Sequence, residues 1–144
     1  MNLPHDWSVG LPYDSISGEG CVAFLQGGIG WYSKSFPTTI SANQKCYIVF
    51  DGVYNNSEYW INGKKLGYHP SGYAPFYFDV TDYLNPNEDN RMTVRVDHSH
   101  YADSRWYTGS GIYRDVKMIV TDRLHIPVWG TFVTTPVVTD NMLK

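Results

Sequence analysis

The chain has 144 residues, 42% of them hydrophobic, which is enough to bury one core and fits one compact domain. Its net charge of -3 comes from dispersed acids and bases, without the basic block that would neutralise a row of phosphates, so nucleic acid is not an expected partner. No apolar run approaches the roughly 20 residues of a membrane-spanning helix, so no membrane segment is expected.

Short β-strands dominate the predicted secondary structure. Apolar residues recur at a spacing of two, and glycine, proline and asparagine separate the runs. The predicted strands, in chain order, are 31–36, 46–51, 58–62, 63–68, 76–80, 91–97 and 112–120, the last being the longest. Many short strands without a long helical period predict an all-β fold, an antiparallel β-sandwich.

Local signals refine this prediction. Asn62-Gly63 tolerates positive φ and is typical of a hairpin turn between two strands. The more continuous apolar run at 46–51 predicts a strand with a central position in its sheet. Residues 81–84 are expected to make one helical turn, with Thr81 as its cap.

Both ends of the chain look cut. It begins with MNLPHDWSVG, which lacks a charged start followed by an apolar core, so no export signal is visible. Near the other end, a new β-prone run opens at about residue 130 and stops. We therefore expect residues 1–123 to form one sandwich domain and residues 124–144 to form a connector into a further module.

A pair of facing carboxylates, the usual requirement for glycoside hydrolysis, is not evident. The glutamates are Glu19, Glu58 and Glu88, each in or next to a predicted loop or turn. Asp97 and Asp103 lie nearer to an aromatic cluster, but aspartate at a strand end commonly forms turns. Solvated or turn-forming roles are therefore favoured, and no catalytic residue is assigned.

Other catalytic and metal-binding motifs fail on spacing. GSG at 109–111 has neither the G-x-S-x-G spacing of a nucleophile elbow nor the third glycine of a phosphate-binding loop. His98 and His100 would share a strand face, but a third metal ligand is missing, so two partly exposed histidines are expected. Cys21 and Cys46 fit no redox or zinc motif; buried thiols are favoured, and a single disulfide stays open. No metal or cofactor is expected.

The remaining candidate is a sugar-binding site around RWYTGSGIYRDV at 105–116. Pyranose recognition uses aromatic rings against the C–H side of a sugar and Asp, Asn, Arg or Trp edges against its hydroxyls. The candidate sugar-contacting residues are Asp97, His98, Arg105, Trp106 and Tyr107. The sequence favours a core role and a binding role for Trp106 equally. For Arg105, the alternative to sugar binding is a salt bridge to an aspartate. Tyr113 is expected in the core, within a strand, after a turn at 108–111.

Several segments resemble a known family. The sequence is similar to the N-terminal sugar-binding domain of glycoside hydrolase family 2, in particular its β-galactosidase members. The resemblance lies in LPHDW (3–7), GGIGWYSKSF (27–36), FDGVYNNSEYWINGKKLGYHPSGYAPFYFDVTDYL (50–84), VRVDHS (94–99) and RWYTGSGIYRDV (105–116). WINGKKLGYH and SGIYRDV are its most specific parts, and β-glucuronidases and β-mannosidases share the architecture.

The resemblance implies a jelly-roll β-sandwich of the galactose-binding type. An immunoglobulin-like domain would follow, and then a (β/α)8 barrel carrying the acid/base and nucleophile glutamates. GTFVTTPVVTD (130–140) resembles the first strand of that immunoglobulin-like domain. Asp97 best matches an aspartate that the β-galactosidase sandwich lends to the edge of the active site. The implied partners are a β-galactoside or related carbohydrate and these downstream domains.

The expected function is that of a non-catalytic sugar-binding domain of a multidomain retaining β-galactosidase, inactive as an isolated chain. Two alternatives stay open. One is a structural domain whose aromatics are buried against neighbouring domains or a second subunit, which would favour a homo-oligomer. The other is a free-standing carbohydrate-binding module. The resemblance also implies that the parent enzyme is exported to a periplasm or beyond.

Overall fold

The computed structural model describes residues 1–16, 20–100 and 104–137, and these form the predicted antiparallel β-sandwich. The strands of the described residues are β1 (Gly28–Pro37), β2 (Gln44–Phe50), β3 (Ser57–Ile61), β4 (Lys64–His69), β5 (Phe76–Asp79), β6 (Asp89–His98) and β7 (Val116–Asp122). Short 3₁₀ helices span Ser8–Gly10, Gly20–Val22 and Thr81–Tyr83. None of the helices in these ranges has the length and apolar character needed to cross a membrane.

The two sheets have the orders β1-β6-β3-β4 and β5-β2-β7. Most consecutive strands pass from one sheet to the other, as in jelly-roll sandwiches. The exception is the β3–β4 hairpin, whose turn residues Asn62 and Gly63 have φ values of 51° and 80°. The Asn-Gly prediction and the central position of β2 are therefore confirmed.

One hydrophobic core fills the space between the sheets. Strict alternation along β3 buries Ser57, Tyr59 and Ile61. The Tyr59 ring contacts Phe50 of the opposite sheet at 4.8 Å between centroids, and Phe50 stacks on Phe76 at 5.1 Å. Each such buried side chain contributes roughly 2 kcal/mol from the apolar area it removes from water. This core holds the sheets together and leaves the strand ends to carry loops.

The last strand begins later than predicted. The expected strand at 112–120 is wrong at its start, because β7 begins at Val116. Gly111 has a φ of 120° and exchanges two hydrogen bonds with Tyr54 in an isolated bridge, so this backbone cannot continue a sheet ladder. A Cβ at Gly111 would lie 2.2 Å from the Tyr32 hydroxyl. Residues 111–115 therefore form an irregular connection.

Two local predictions also need correction. Thr81 is not a cap: Val80 is the N-cap, without a side-chain cap bond, and the Thr81 hydroxyl accepts from Cys46 N at 3.0 Å. Cys46 is fully buried, as expected, whereas Cys21 is only half-buried because it lies in a surface 3₁₀ helix. Both are free thiols, and burial raises the pKa of Cys46 to about 11.

A buried asparagine ties the hairpin turn to the turn before β6. Asn90 has 0% exposure, and its Oδ1 accepts from Asn62 Nδ2 at 2.6 Å and from Asn85 N at 2.7 Å. Its Nδ2 donates to the carbonyl oxygens of Asn85 and Glu88 at 3.0 and 3.1 Å. The amide therefore uses its acceptor and both donors.

We predict that Asn90→Asp destabilises the chain by about 2–4 kcal/mol, because a buried carboxylate would replace both N–H donors and face two carbonyls. Urea unfolding at neutral pH measures the loss. Asn87→Asp is the matched control in the exposed turn that precedes β6, since aspartate tolerates its φ of 61°. Equal midpoints for the two variants would contradict the role given to Asn90.

Candidate functional site

One end of the sandwich gathers the loops that carry the candidate residues. These loops follow β2, join β4 to β5 and follow β6, and the N-terminal segment packs across them. His5 N donates to Ile112 O at 2.7 Å, and Trp7 N donates to Ser110 O at 3.0 Å. LPHDW and RWYTGSGIYRDV, a hundred residues apart in the chain, therefore form one backbone-paired unit.

Asp6 is the hub of this unit. Its Oδ1 accepts from the backbone N–H groups of Ser8 and Ser110, each at 2.9 Å, and its Oδ2 accepts from the Tyr107 hydroxyl. Burial, and then the hydrogen bond to this carboxylate, raise the pKa of Tyr107. A single carboxylate thus holds the N-terminal segment against the loop at 107–110. Sequence reasoning missed Asp6, because nothing in LPHDW marks which distant groups it meets.

Buried hydroxyls extend the network inward. Ser8 Oγ lies 2.7 Å from Gln26 O and 2.5 Å from Ser110 Oγ, which in turn lies 2.7 Å from His98 Nδ1. All three contacts are satisfied together when Ser8 donates to Gln26, Ser110 donates to Ser8, and His98 donates from Nδ1. The network therefore favours a His98 that carries its proton on Nδ1.

His98 lies behind the loops rather than on their surface. It was expected to be partly exposed, and that expectation is wrong: its exposed fraction is 3%. The alternation along β6 puts His98 on the core face with Val96 and Val94, and its ring meets Tyr54 edge-on at 4.9 Å. His100, beyond the strand end, is exposed.

Asp97 has the opposite orientation, on the outer face of the four-stranded sheet. Its Oδ1 accepts from Ser99 N at 3.1 Å and from Ser99 Oγ at 2.6 Å, and its Oδ2 accepts from Arg95 Nη2 at 2.7 Å. The Ser99 hydrogen bonds, and then the Arg95 guanidinium, lower the pKa of Asp97. The carboxylate is therefore ionised, oriented and still 24% exposed.

Trp106 is an exposed side chain in the loop that follows β6. Its exposed fraction is 60%, so the core alternative is wrong for this residue. The indole N–H donates to the Tyr73 hydroxyl at 3.0 Å, and the Tyr73 ring meets buried Tyr54 edge-on at 5.4 Å. This support fixes the orientation of the indole. Arg105 and Tyr107 on either side are also exposed.

Tyr113 is half-buried and lies outside any strand, contrary to its predicted position in a strand. Its hydroxyl donates to Gly72 O at 2.8 Å, which ties the loop before β7 to the loop before β5. The Arg114 guanidinium stacks on the Tyr113 ring at 5.1 Å. A Cβ at Gly72 would lie 2.0 Å from the Tyr54 ring, so only glycine fits there. We therefore interpret Tyr113 as a structural link.

The two glutamates within the described residues lie in different parts of the sandwich. Glu58 forms ion pairs with Lys65 and Arg95, and Glu88 lies in the exposed turn before β6, so these glutamates do not face each other. No group of at least three His, Cys, Asp or Glu suited to a metal occurs within the described ranges. Glu19 and Asp103 lie outside the described residues.

The sequence is similar to those of known proteins. Residues 21–122 match the family model described as glycosyl hydrolases family 2, sugar binding domain. A β-galactosidase from Bacteroides ovatus is 46% identical over 94% of this chain and 16% of its own length. A β-glucuronidase from Bacteroides fragilis is 31% identical over 85% of this chain and 18% of its own length.

The folds also agree. The crystal structure of a β-glycosidase from Bacteroides vulgatus is similar with a TM-score of 0.82 and 47% identity, over 88% of this chain and 17% of that one. The present chain thus spans about a sixth of the length of the relatives it matches.

We predict that Asp6→Ala destabilises the chain by roughly 2–3 kcal/mol, because three donors lose their acceptor. Asp6→Asn keeps an acceptor oxygen for the two backbone N–H groups and should lose about half as much. Asp82→Ala, an exposed aspartate in the first turn of a 3₁₀ helix, is the control. Urea unfolding ranks the variants, and an Asp6→Ala protein as stable as the control would remove Asp6 as the hub.

Proposed function

The chain belongs to the sugar-binding domain family of the family 2 glycosyl hydrolases, and from that membership we propose that it forms the non-catalytic wall of a sugar site in a multidomain β-galactosidase. The observation that carries the proposal is the fixed, exposed Trp106 indole at the same end of the sandwich as the ionised Asp97 carboxylate. An aromatic platform and an oriented acceptor at one end of the sandwich match what a pyranose offers, an apolar C–H face and rigid hydroxyl donors.

Each candidate residue has a separate proposed role. Asp97 accepts hydrogen bonds from sugar hydroxyls, because its carboxylate is held ionised and partly exposed. Trp106 packs against the sugar ring, and Arg105 donates at its edge. Tyr107 and His98 are proposed to hold the loop in place. The Tyr107 hydroxyl donates to Asp6, and buried His98 contacts Ser110. His98 is therefore proposed as a positioning residue, in place of the sugar contact expected from sequence.

The reaction itself is proposed to lie elsewhere in a longer protein. The chain spans about a sixth of its relatives' length, and the described glutamates are ion-paired or in a turn. We propose residues 1–123 as the sandwich domain and 124–144 as the connector to an immunoglobulin-like domain and a barrel. Two observations support this division. The family match and β7 both end at residue 122, and residues 131–137 are exposed without a strand partner. Residues 138–144 lie outside the described part.

The galactoside assignment follows the 46% identity to a β-galactosidase, and a putative β-glucuronidase from Formosa agariphila is 42% identical over the same share of this chain. A glucuronide is the second candidate, because Arg105 is exposed at this end and a guanidinium pairs well with a carboxylate. Parallel assays of the full-length enzyme with aryl β-galactoside and aryl β-glucuronide distinguish the two. A preference for the glucuronide would overturn the galactosidase assignment.

We predict that Asp97→Ala, in the full-length enzyme, lowers kcat/KM for an aryl β-galactoside by about 10- to 100-fold, because a charged hydrogen-bond acceptor is lost. The thermal midpoint should change less than in Asp6→Ala, since exposed Ser99 can donate to water once the carboxylate is removed, whereas Ser8 and Ser110 are buried. Asp122→Ala is the matched control, an exposed aspartate on the same sandwich at the far end of β7. Wild-type kinetics in Asp97→Ala would exclude Asp97 from the sugar site.

A further inference from the structure

A second aromatic surface lies on the outer face of the four-stranded sheet, the face that also carries Asp97. Trp31 of edge strand β1 is 61% exposed, and it lies over β6 opposite Arg95. Trp60 of β3 approaches from the other side of β6, and the two indoles stack at 5.6 Å between centroids with an angle of 28°. Nothing in the proposed galactoside site uses this pair.

The stack holds Trp31 in a defined orientation although it is exposed. Trp60 is half-buried, and Lys65 Nζ lies 5.6 Å from its ring centroid, so Trp60 is itself fixed by a cation–π contact. An exposed indole that is already immobilised loses little conformational entropy on binding. Trp31 is therefore a preorganised platform rather than a freely rotating surface residue.

The charged groups beside the stack neutralise one another. Lys65 pairs with Glu58, Glu58 also lies 3.7 Å from Arg95, and Arg95 pairs with Asp97 at 2.7 Å. This chain of two cations and two anions has no net charge. It offers hydrogen-bonding edges to a polar ligand, and Arg91 on the same face, whose Nε donates to Ser33 Oγ at 2.7 Å, adds one positive charge.

A shallow pocket adjoins Trp31 at the edge of β1. Its volume is about 170 Å³, and it is lined by Met1, His5, Trp7, Ile29, Gly30, Trp31 and Tyr32. Typical pockets for drug-sized ligands start at about 300 Å³, so this one suits a single small ring. Its walls are mainly aromatic or aliphatic, with the imidazole of His5 and the hydroxyl of Tyr32 as polar groups.

We propose that Trp31, supported by Trp60, and the adjoining pocket form a second carbohydrate site that binds one unit of a neutral oligosaccharide without the barrel. The C–H face of a pyranose would pack on the Trp31 indole, and its hydroxyls would reach the Glu58–Arg95 pair. The family is a sugar-binding one, an exposed indole held by a second ring suits the C–H face of a pyranose, and the ion pairs and Arg91 offer hydrogen-bonding groups to its hydroxyls.

The test uses the 144-residue chain and β-1,4-galactotetraose as the neutral probe. Each of the five tryptophans gives one indole N–H resonance, so a titration followed by ¹H–¹⁵N NMR reports every candidate platform separately. We expect saturable binding in the millimolar range that shifts the Trp31 and Trp60 resonances. The Trp106 and Trp129 resonances should remain in place.

Variants complete the design. Trp31→Ala should weaken binding at least about tenfold, the loss of roughly 1.4 kcal/mol expected for an aromatic contact, and Trp31→Tyr should recover part of it. Trp129→Ala is the matched control, because Trp129 is similarly exposed at 57% and lies in neither site. Far-UV circular dichroism checks that each variant folds.

The outcomes separate this site from the galactoside site. Shifts confined to Trp106, or binding lost in Trp106→Ala but retained in Trp31→Ala, would overturn the second site while supporting the first. An absence of binding at millimolar glycan would overturn the second site alone, since the first is proposed to need the barrel. Trp31-dependent self-association of the chain in place of glycan binding would also overturn it, by making this face a protein interface.

Discussion

The pairing of the N-terminal segment with the 107–112 loop, centred on the Asp6 carboxylate, is the constraint on which the rest of the site depends. Asp6 accepts from two backbone N–H groups and a tyrosine hydroxyl, and behind it Ser8, Ser110 and His98 form a buried chain of hydrogen bonds. Polar groups this deep are costly unless they are all satisfied, so the loop has one arrangement rather than many. That arrangement sets where Trp106 and Arg105 emerge.

The aromatic side chains fall into two groups, those in the core between the sheets and those on the exposed surfaces of the sandwich. Tyr59 and Phe50 fill the core, where burial raises the pKa of Tyr59 and its hydroxyl is satisfied by Ser57. Trp106 and Trp31 are about equally exposed, and each is held by another aromatic residue. Exposed but immobilised indoles suit sugar recognition, because little entropy is lost when the ligand binds.

Sequence patterns predicted the strands well, since alternation and the Asn62-Gly63 turn depend only on neighbouring residues. They failed where distant groups decide the local structure. Residues 112–115 alternate like a strand, but Gly111 is bridged to Tyr54 and cannot enter the ladder. His98 was expected to be partly exposed. Its burial depends on Tyr54 and Ser110, which are not its neighbours in the sequence. Asp6 was missed because two of its partners, Tyr107 and Ser110, lie about a hundred residues away.

The central claim is that this chain supplies one wall of an active site whose chemistry belongs to another domain. A crystal structure of the full-length enzyme with a bound, uncleaved β-galactoside tests it most directly. We expect the Asp97 carboxylate within hydrogen-bonding distance of a sugar hydroxyl and the Trp106 indole in contact with the ligand. A sugar enclosed entirely by other domains, with neither residue in contact, would contradict it.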